Sequence, residues 1–497
     1  MLTIGRKREQ RQYFFKASTY SRKSGIVRPS RAGADREWDG ETSMFAELGI
    51  AVGKIVESRR NARLGPEAFH RARLERFRKL VRHANAHSPW YADIIRERGI
   101  NPDTCTPADF PLLTKTILMQ NFDRIVTDKR ITKQAITDFL DRSKDPAEKF
   151  LGEYRVMHTS GTSGEVGYFL YSGTDWARGL FGGAFRRRRL AQRRKRARGG
   201  KYRGAFYGAT GGHFAGVTMA TAASRGIAKL FIDMRTFEIN SPLPATLDQL
   251  NAFQPDVLSG YTAALRMLGE KQIAGALKIS PIGIAATGET VTQADMAFLK
   301  QAFGCEVTSA YGCTEHLGLG ASDPGGETMT LNDSELILEF ASDHSVITNL
   351  FNYTMPLIRY RMSDILIPAG APDAHPLVIK NLVGRTERMP TFLNRDGVQD
   401  FISPHTINEI FVPGVMRFQL HLTGPSAFRF LVILDPSLDA AGRSEALAGV
   451  DARLKDILAQ KGMPNVTFEV APVDDLPVNP RTRKFQLIVD DREAIAG

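Results

Sequence analysis

Apolar residues recur at three- and four-residue spacing through Leu74, Phe77, Leu80, Val81 and Ala84, with Arg and Lys between them. That period predicts a helix beginning near Glu67. A second helix is predicted over Tyr91 to Arg98, stopped by Gly99, and Pro102, Pro107 and Pro111 then mark a turn-rich connection. From about Tyr154 the pattern changes. Short apolar runs (Ala205-Phe206-Tyr207, Val257-Leu258-Ser259-Gly260, Ile282 to Ala286, Val307 to Tyr311) alternate with glycine-containing turns and helical stretches. Strands that end in such loops predict an α/β core with ligands at the strand ends. Glu335 to Phe340 and Ser345 to Leu350 alternate as antiparallel strands do. After Gly384 come three more strand-like runs, Phe418 to Leu422, Phe428 to Leu434 and Val466 to Val470, with a helical stretch from Arg443 to Lys461. The fold class is therefore α/β: a large N-terminal domain with mixed β-sheets and helices, residues 67–384, and a small C-terminal α+β domain, residues 385–497. Residues 1–66 read as a flexible basic extension.

The bulk composition agrees with more than one domain. The chain has 497 residues, 42% of them hydrophobic, which is too much for one compact core. No apolar stretch approaches the roughly 20 residues needed to span a bilayer. The basic N-terminus has no apolar run behind it and is not a secretory signal, so a cytoplasmic protein is expected. Cys105, Cys305 and Cys313 form neither a CxxC pair nor a His/Cys cluster, which argues against zinc or a disulfide framework. The net charge of +12 is concentrated: Arg186 to Arg203 holds eleven Lys or Arg and no acid. Such a run can attract a polyanion. Most charge runs are solvated helix faces, and no nucleic-acid-binding motif accompanies this one, so nucleic acid is the minority reading.

Five local signals carry candidate chemistry. Thr159-Ser160-Gly161-Thr162-Ser163-Gly164 has glycines that let backbone approach phosphate oxygens and hydroxyls that add donors. It lacks Walker spacing, and alone such a run is more often a plain loop. Tyr311-Gly312-Cys313-Thr314-Glu315 presents an aromatic face, a hydroxyl and a carboxylate after an apolar run. An aromatic can stack on a purine and a carboxylate can hold Mg²⁺; the ordinary alternative is a surface turn with a buried Tyr. Asp364, in Arg359-Tyr360-Arg361-Met362-Ser363-Asp364, can take both hydroxyls of a ribose or sit in a surface ion pair. Gly384-Arg385-Thr386-Glu387 and Lys484 complete the set.

In this order the signals resemble the adenylate-forming superfamily, and within it the phenylacetate–CoA ligase-like branch. Leu80 to Tyr91 resembles the branch's opening helix. Pro111-Leu112-Leu113-Thr114-Lys115 is similar to its P-x-L-T-K turn, and Met355 to Arg361 to its P-x-I-R-Y-R strand. The resemblance covers about residues 67–490. It implies ATP-dependent conversion of a carboxylic acid to an acyl-adenylate, with coenzyme A as the usual acceptor. Thr159, Ser160, Gly161, Thr162, Ser163 and Gly164 would then hold the β- and γ-phosphates. Gly288 and Glu289 would form the turn beside adenine, and Tyr311, followed by Gly312, would stack on it. Thr314 would touch the α-phosphate and Glu315 would bind Mg²⁺. Asp364 would hold the ribose with help from Arg385, and Lys484 would bridge the acyl carboxylate and the α-phosphate. Tyr207, Gly208 and Gly211, in Tyr207 to His213, are similar to the acyl-pocket strand and loop, with His213 a candidate pocket residue. Glu387 takes the hinge position about which the family's small domain moves.

The sequence also departs from the pattern. Glu165 follows the phosphate loop where Lys is common, Glu387-Arg388-Met389 replaces paired acids, and Arg483 stands where Gly usually precedes the Lys. Thr391 to Ser403 lacks the family's Arg-Gly-x-Asn run. In relatives that loop helps form the thiol tunnel, so a carrier-protein thiol, an amine or a hydroxyl is the alternative acceptor. Ala321 to Thr330 has no cysteine, so the metal cluster of some branch members is not expected. The branch favours aromatic acids; small and fatty acids stay open. A noncatalytic polyanion-binding protein is the reading from another class.

Overall fold

The computed structural model describes residues 49–492, apart from 51, 55, 58, 59, 62, 160–165, 184–199, 225–228, 230, 231, 289, 290, 342, 343, 363, 381–389, 409, 411 and 479–485. The first apolar stripe forms a helix over Pro66–His87 and buries Phe69, Phe77, Leu80, Val81 and Ala84. A Pro opens it, where a missing N–H costs nothing. The second helix, Pro89–Glu97, is capped by Ser88, and Gly99 follows it at φ +61°.

A hairpin comes next: β1 (Arg155–His158) pairs antiparallel with β2 (Tyr168–Tyr171). Among the described residues the main sheet has eight strands. They are β3 (Tyr202–Gly208), β4 (Ile232–Glu238), β5 (Val257–Tyr261), β6 (Gly283–Thr287), β7 (Glu306–Cys313), β8 (Leu317–Ser322), β9 (Thr328–Leu331) and, at one edge, β13 (Val378–Lys380). Their order is β13-β9-β8-β7-β6-β5-β3-β4. The run β4-β3-β5-β6-β7 is parallel, and β8, β9 and β13 join by antiparallel pairing. Strands buried on both faces read as near-continuous apolar runs, which is why β3, β5, β6 and β7 were visible in the sequence. The alternating pair becomes β10 (Leu336–Phe340) and β11 (Ser345–Asn349), antiparallel as expected, with β12 (Tyr360–Met362) beside β11.

The C-terminal residues build the hairpin β14 (Thr391–Leu393)–β15 (Gln399–Phe401) and a four-stranded sheet of β16 (Val415–Gly424), β17 (Ala427–Leu434), β18 (Thr467–Pro472) and β19 (Ile488–Asp490). The helix Ala440–Gln460 packs with them. The boundary proposed at residues 384 and 385 lies outside the described residues, as do residues 1–48. The described part of residues 49–61 is helical where the sequence suggests loose chain. Charge fastens it: Lys54 Nζ lies 2.8 Å from Glu335, whose carboxylate is almost wholly buried, and Arg76 bridges Glu57 and Glu335.

A second buried ion pair ties the C-terminal part to the main sheet. Lys461 and Asp400 meet at 2.8 Å with side chains 0% and 1% exposed. Lys461 Nζ also donates to the carbonyls of Ile239 and Ser241, and its charge sits 4.5 Å from the centre of the Phe401 ring. Asp400 accepts from the backbone N–H of Leu243 and of Phe401. Both charges are thus held by hydrogen bonds on every side, the condition for burying an ion pair at all. Asp400→Ala strands the Lys461 charge and should destabilise the fold by about 3–5 kcal/mol in urea unfolding. Arg453→Ala removes a half-exposed pair with Asp456 and should cost less than about 1 kcal/mol in the same measurement.

Candidate functional site

The parallel strands all run in one direction, so their carboxyl ends share one edge of the sheet, where α/β folds place ligands. Gly208 ends β3, Tyr261 ends β5, Gly288 follows β6, and Tyr311 and Gly312 lie near the end of β7. Gly288 has φ +79°, a conformation that favours glycine. Gly312 sits in the bulge between β7 and β8, where a Cβ would stand 2.9 Å from the Leu317 carbonyl oxygen.

Tyr311 donates its hydroxyl to Asp364 Oδ2 at 2.7 Å. Two candidates 53 residues apart thus meet directly. Burial and the Asp364 charge push the Tyr311 phenol well above its ordinary range, so it stays a neutral donor. Asp364 is exposed. Thr314 is fixed through its carbonyl, which accepts from Tyr171 of β2 at 2.8 Å. Glu315 is next. Burial pushes its carboxyl up, and its own backbone N–H, the Lys115 charge and Cys313 pull it back. Asp364 lies close enough to raise it further.

The loop between β1 and β2 is closed at its base. Thr159 N–H donates to the Gly167 carbonyl, and Gly167 N–H donates to Thr159 Oγ1, both at 2.9 Å. Ser160, Gly161, Thr162, Ser163, Gly164 and Glu165 lie outside the described residues, as do Glu289, Arg385, Glu387 and Lys484. The His158 N–H donates to the carbonyl of His213 at 3.1 Å, which joins this base to the loop after β3. His213 itself is buried against Phe139 and lies 3.1 Å from Ser143 Oγ, so it braces that loop from within.

Tyr207 and Gly208 are neighbours on a strand and face opposite sides of the sheet. Gly208 shares its side with Phe206 and Tyr261. Tyr207 is wholly buried on the other side, and that burial, with the charges of Asp400 and Glu238, holds its phenol well above its ordinary range. Its hydroxyl has no hydrogen-bond partner among the described residues. Gly211 has open space where a Cβ would stand.

Lys115 has no site role in the motif reading. Its Cε would stand 3.1 Å from a Cβ on Gly167, and its charge acts on Glu315. It thus lies between the loop base and the carboxylate. Two distant segments and its own helix cap put it there. Leu113 is clasped by Arg359 and Arg361 through backbone hydrogen bonds of 3.0 and 2.9 Å. Tyr91 Oη donates to the Pro356 carbonyl and accepts from Ile358 N–H. Thr114 then caps the helix Lys115–Gln120. A cation in the first turn of a helix opposes the helix dipole. That mismatch was the sequence signal for Lys115.

His316, immediately after Glu315, is completely buried. Asn349 Nδ2 lies 3.3 Å from its Nδ1, and its Nε2 has no partner among the described residues. Burial pulls this imidazole down to about 3, and it pulls His158 down to about 4. Below pH 6.5 the unfolded chain takes up protons that these folded rings refuse. Their stabilising contribution is therefore complete above about pH 6.5 and is lost as pH falls towards 4 and 3. Replacing His316 with Gln should flatten unfolding free energy against pH by about 1.4 kcal/mol per pH unit between pH 4 and 6. Urea titrations at stepped pH values measure it.

No family model matches the chain. It is 22% identical to Protein CapK of Staphylococcus aureus over 342 residues, covering 63% of this chain and 66% of that protein. It is 24% identical to Phenylacetate-coenzyme A ligase of Aromatoleum evansii over 348 residues, covering 64% and 70%. The matched stretch thus spans about two thirds of these relatives. Among solved structures, 2-hydroxyisobutyryl-CoA ligase in complex with 2-HIB-AMP and CoA in the thioesterification state superposes with a TM-score of 0.52. That pair is 17% identical over 88% of this chain and 92% of the other, a likeness of fold.

Proposed function

We propose that this chain, a member of the adenylate-forming superfamily in its phenylacetate–CoA ligase-like branch, activates a carboxylic acid with ATP and passes the acyl group to coenzyme A. The observation that carries the reading is the Tyr311–Asp364 hydrogen bond, set beside Glu315 and Lys115 at the carboxyl edge of the parallel strands. One aromatic ring joined to one exposed carboxylate suits a nucleoside: the ring for the base, the carboxylate for the ribose hydroxyls. Gly288 and Glu289 flank the base, and Arg385 assists Asp364.

In the first half-reaction a carboxylate oxygen of the acid attacks the α-phosphorus of ATP. The P–O bond to pyrophosphate breaks, and an acyl-adenylate forms. The acid is a weak nucleophile, so the protein's part is positioning and charge neutralisation. Ser160, Gly161, Thr162, Ser163 and Gly164 hold the leaving phosphates, with Thr159 closing the loop base. Thr314 holds the α-phosphate, and Lys484 bridges it to the incoming carboxylate. Lys115 adds positive charge beside the loop. Glu315 suits Mg²⁺: its carboxyl is driven up by burial, so a cation there would relieve that cost. When bound, Mg²⁺ supplies positive charge to the phosphate oxygens. In the second half-reaction the thiol of coenzyme A attacks the acyl carbon and AMP leaves. Glu387 serves as hinge between the two. The acceptor could instead be a carrier-protein thiol, and mass spectrometry of the acylated product separates the two.

Pyrophosphate release should depend on both ATP and an acid drawn from a panel of aliphatic and aromatic carboxylates. Release that ignores every acid would refute adenylation. Lys484→Ala should lower acid-dependent release by about a hundredfold or more with the melting temperature unchanged. A variant that keeps the parent rate would show that Lys484 is not the bridging group.

A further inference from the structure

The turn that carries Thr314 and Glu315 is short. β7 ends at Cys313, β8 starts at Leu317, and those two residues are paired across the hairpin. Only Thr314, Glu315 and His316 span the gap. Hairpin loops of this length often close with a residue in the left-handed region, where glycine is at ease. Here that residue is Leu317, at φ +57°. Such a backbone is costly for a residue with a side chain, and it persists only where the surroundings over-determine it. They do so here. Leu317 is wholly buried, and its Cδ1 would stand 2.7 Å from a Cβ on Gly179, in the helix Gly173–Gly183. Thr314 has its own anchor in the Tyr171 hydroxyl.

Glu315 and His316 are held by Asn349, the last residue of β11. Asn349 Nδ2 donates to the Glu315 carbonyl at 3.4 Å and lies 3.3 Å from His316 Nδ1. One amide nitrogen thus serves two residues of the turn, with one hydrogen for each. Nδ1 of the ring accepts, so the imidazole carries its proton on Nε2. Asn349 and His316 are both completely buried. The arrangement is expensive, because His316 Nε2 and Asn349 Oδ1 have no partner among the described residues. Replacing such a half-satisfied pair with apolar side chains of similar shape can be neutral for folding, or stabilising. What apolar side chains would not supply is the hydrogen bond to the Glu315 backbone. We propose that Asn349 and His316 are positioning residues that hold Glu315 in its metal-binding conformation before ATP arrives. This rests on the adenylation reading above. Both act through the backbone of Glu315 rather than on the nucleotide.

The test is calorimetric binding of AMP and of α,β-methylene-ATP, which cannot be cleaved at the α-phosphorus, to the full-length protein. Each is measured with Mg²⁺ and with EDTA. The parent should bind the ATP analogue more tightly with Mg²⁺. Asn349→Leu should lose most of that gain, with analogue affinity in Mg²⁺ down by roughly tenfold or more. Its AMP affinity and melting temperature should stay those of the parent, because Tyr311, Asp364 and Thr314 keep their own anchors. His316→Leu should behave in the same way. His316→Gln, which offers Asn349 an acceptor again, should recover most of the gain. The two His316 variants keep the test decisive if Asn349→Leu misfolds. A folded Leu variant with the parent's Mg²⁺ gain overturns the inference. So does an equal loss of AMP binding, a His316→Gln variant no better than His316→Leu, or a parent whose analogue binding ignores Mg²⁺. Those outcomes leave adenylation standing. A parent that binds neither nucleotide overturns the adenylation reading and this inference with it.

Discussion

Five parallel strands finish along one edge of the main sheet, and the candidate site depends on that common finish. The edge brings Gly208, Tyr261, Gly288 and Tyr311 side by side from residues more than a hundred positions apart. Their order in space is fixed by pairing register, in which a slip of one residue would turn each side chain to the other face. Segments from elsewhere are then laid against the edge. The β1–β2 hairpin brings Thr159 and the Tyr171 hydroxyl, and the strand β12 leads to Asp364. The backbone clasp between Leu113 and Arg359 and Arg361 brings Lys115.

The electrostatics follow from that convergence. Burial drives the Glu315 carboxyl up, and the Asp364 charge adds to that cost. Lys115 and the backbone offset part of it. Tyr311 takes one Asp364 oxygen as a neutral donor. A nucleotide and its cation would supply the remaining counter-charge and hydrogen bonds, so the same features that make the site costly without a ligand favour binding one. The buried pair Lys461 and Asp400 shows the contrast: there the cost is met by four hydrogen-bonding groups of the surrounding backbone and by the pair itself.

Much of this was legible in residue order. The apolar runs gave β3, β5, β6 and β7, because strands covered on both faces carry few polar interruptions. The helix stripe at Leu74 to Ala84 gave the first helix to within a few residues. The motif order pointed to Tyr311 and Asp364 without knowing that they touch. Strand alternation by itself separates Tyr207 from Gly208, yet a motif read as a block hides it. β8 and β9 were missed, because two glycines interrupt the alternation of β8 and β9 has only four residues. The Asp400–Lys461 pair was illegible: partners 61 residues apart carry no local pattern. Lys115 was quoted in a motif and given no part in the site, although a lysine opening a helix calls for an anionic neighbour.

The central claim is that a carboxylate oxygen of the acid becomes bonded to the α-phosphorus of ATP. It is tested most directly with an acid labelled with oxygen-18 in its carboxylate, turned over with ATP and coenzyme A, and mass spectrometry of the nucleotide product. The account predicts AMP carrying one labelled oxygen. Unlabelled AMP, or ADP with the label in inorganic phosphate, would contradict it.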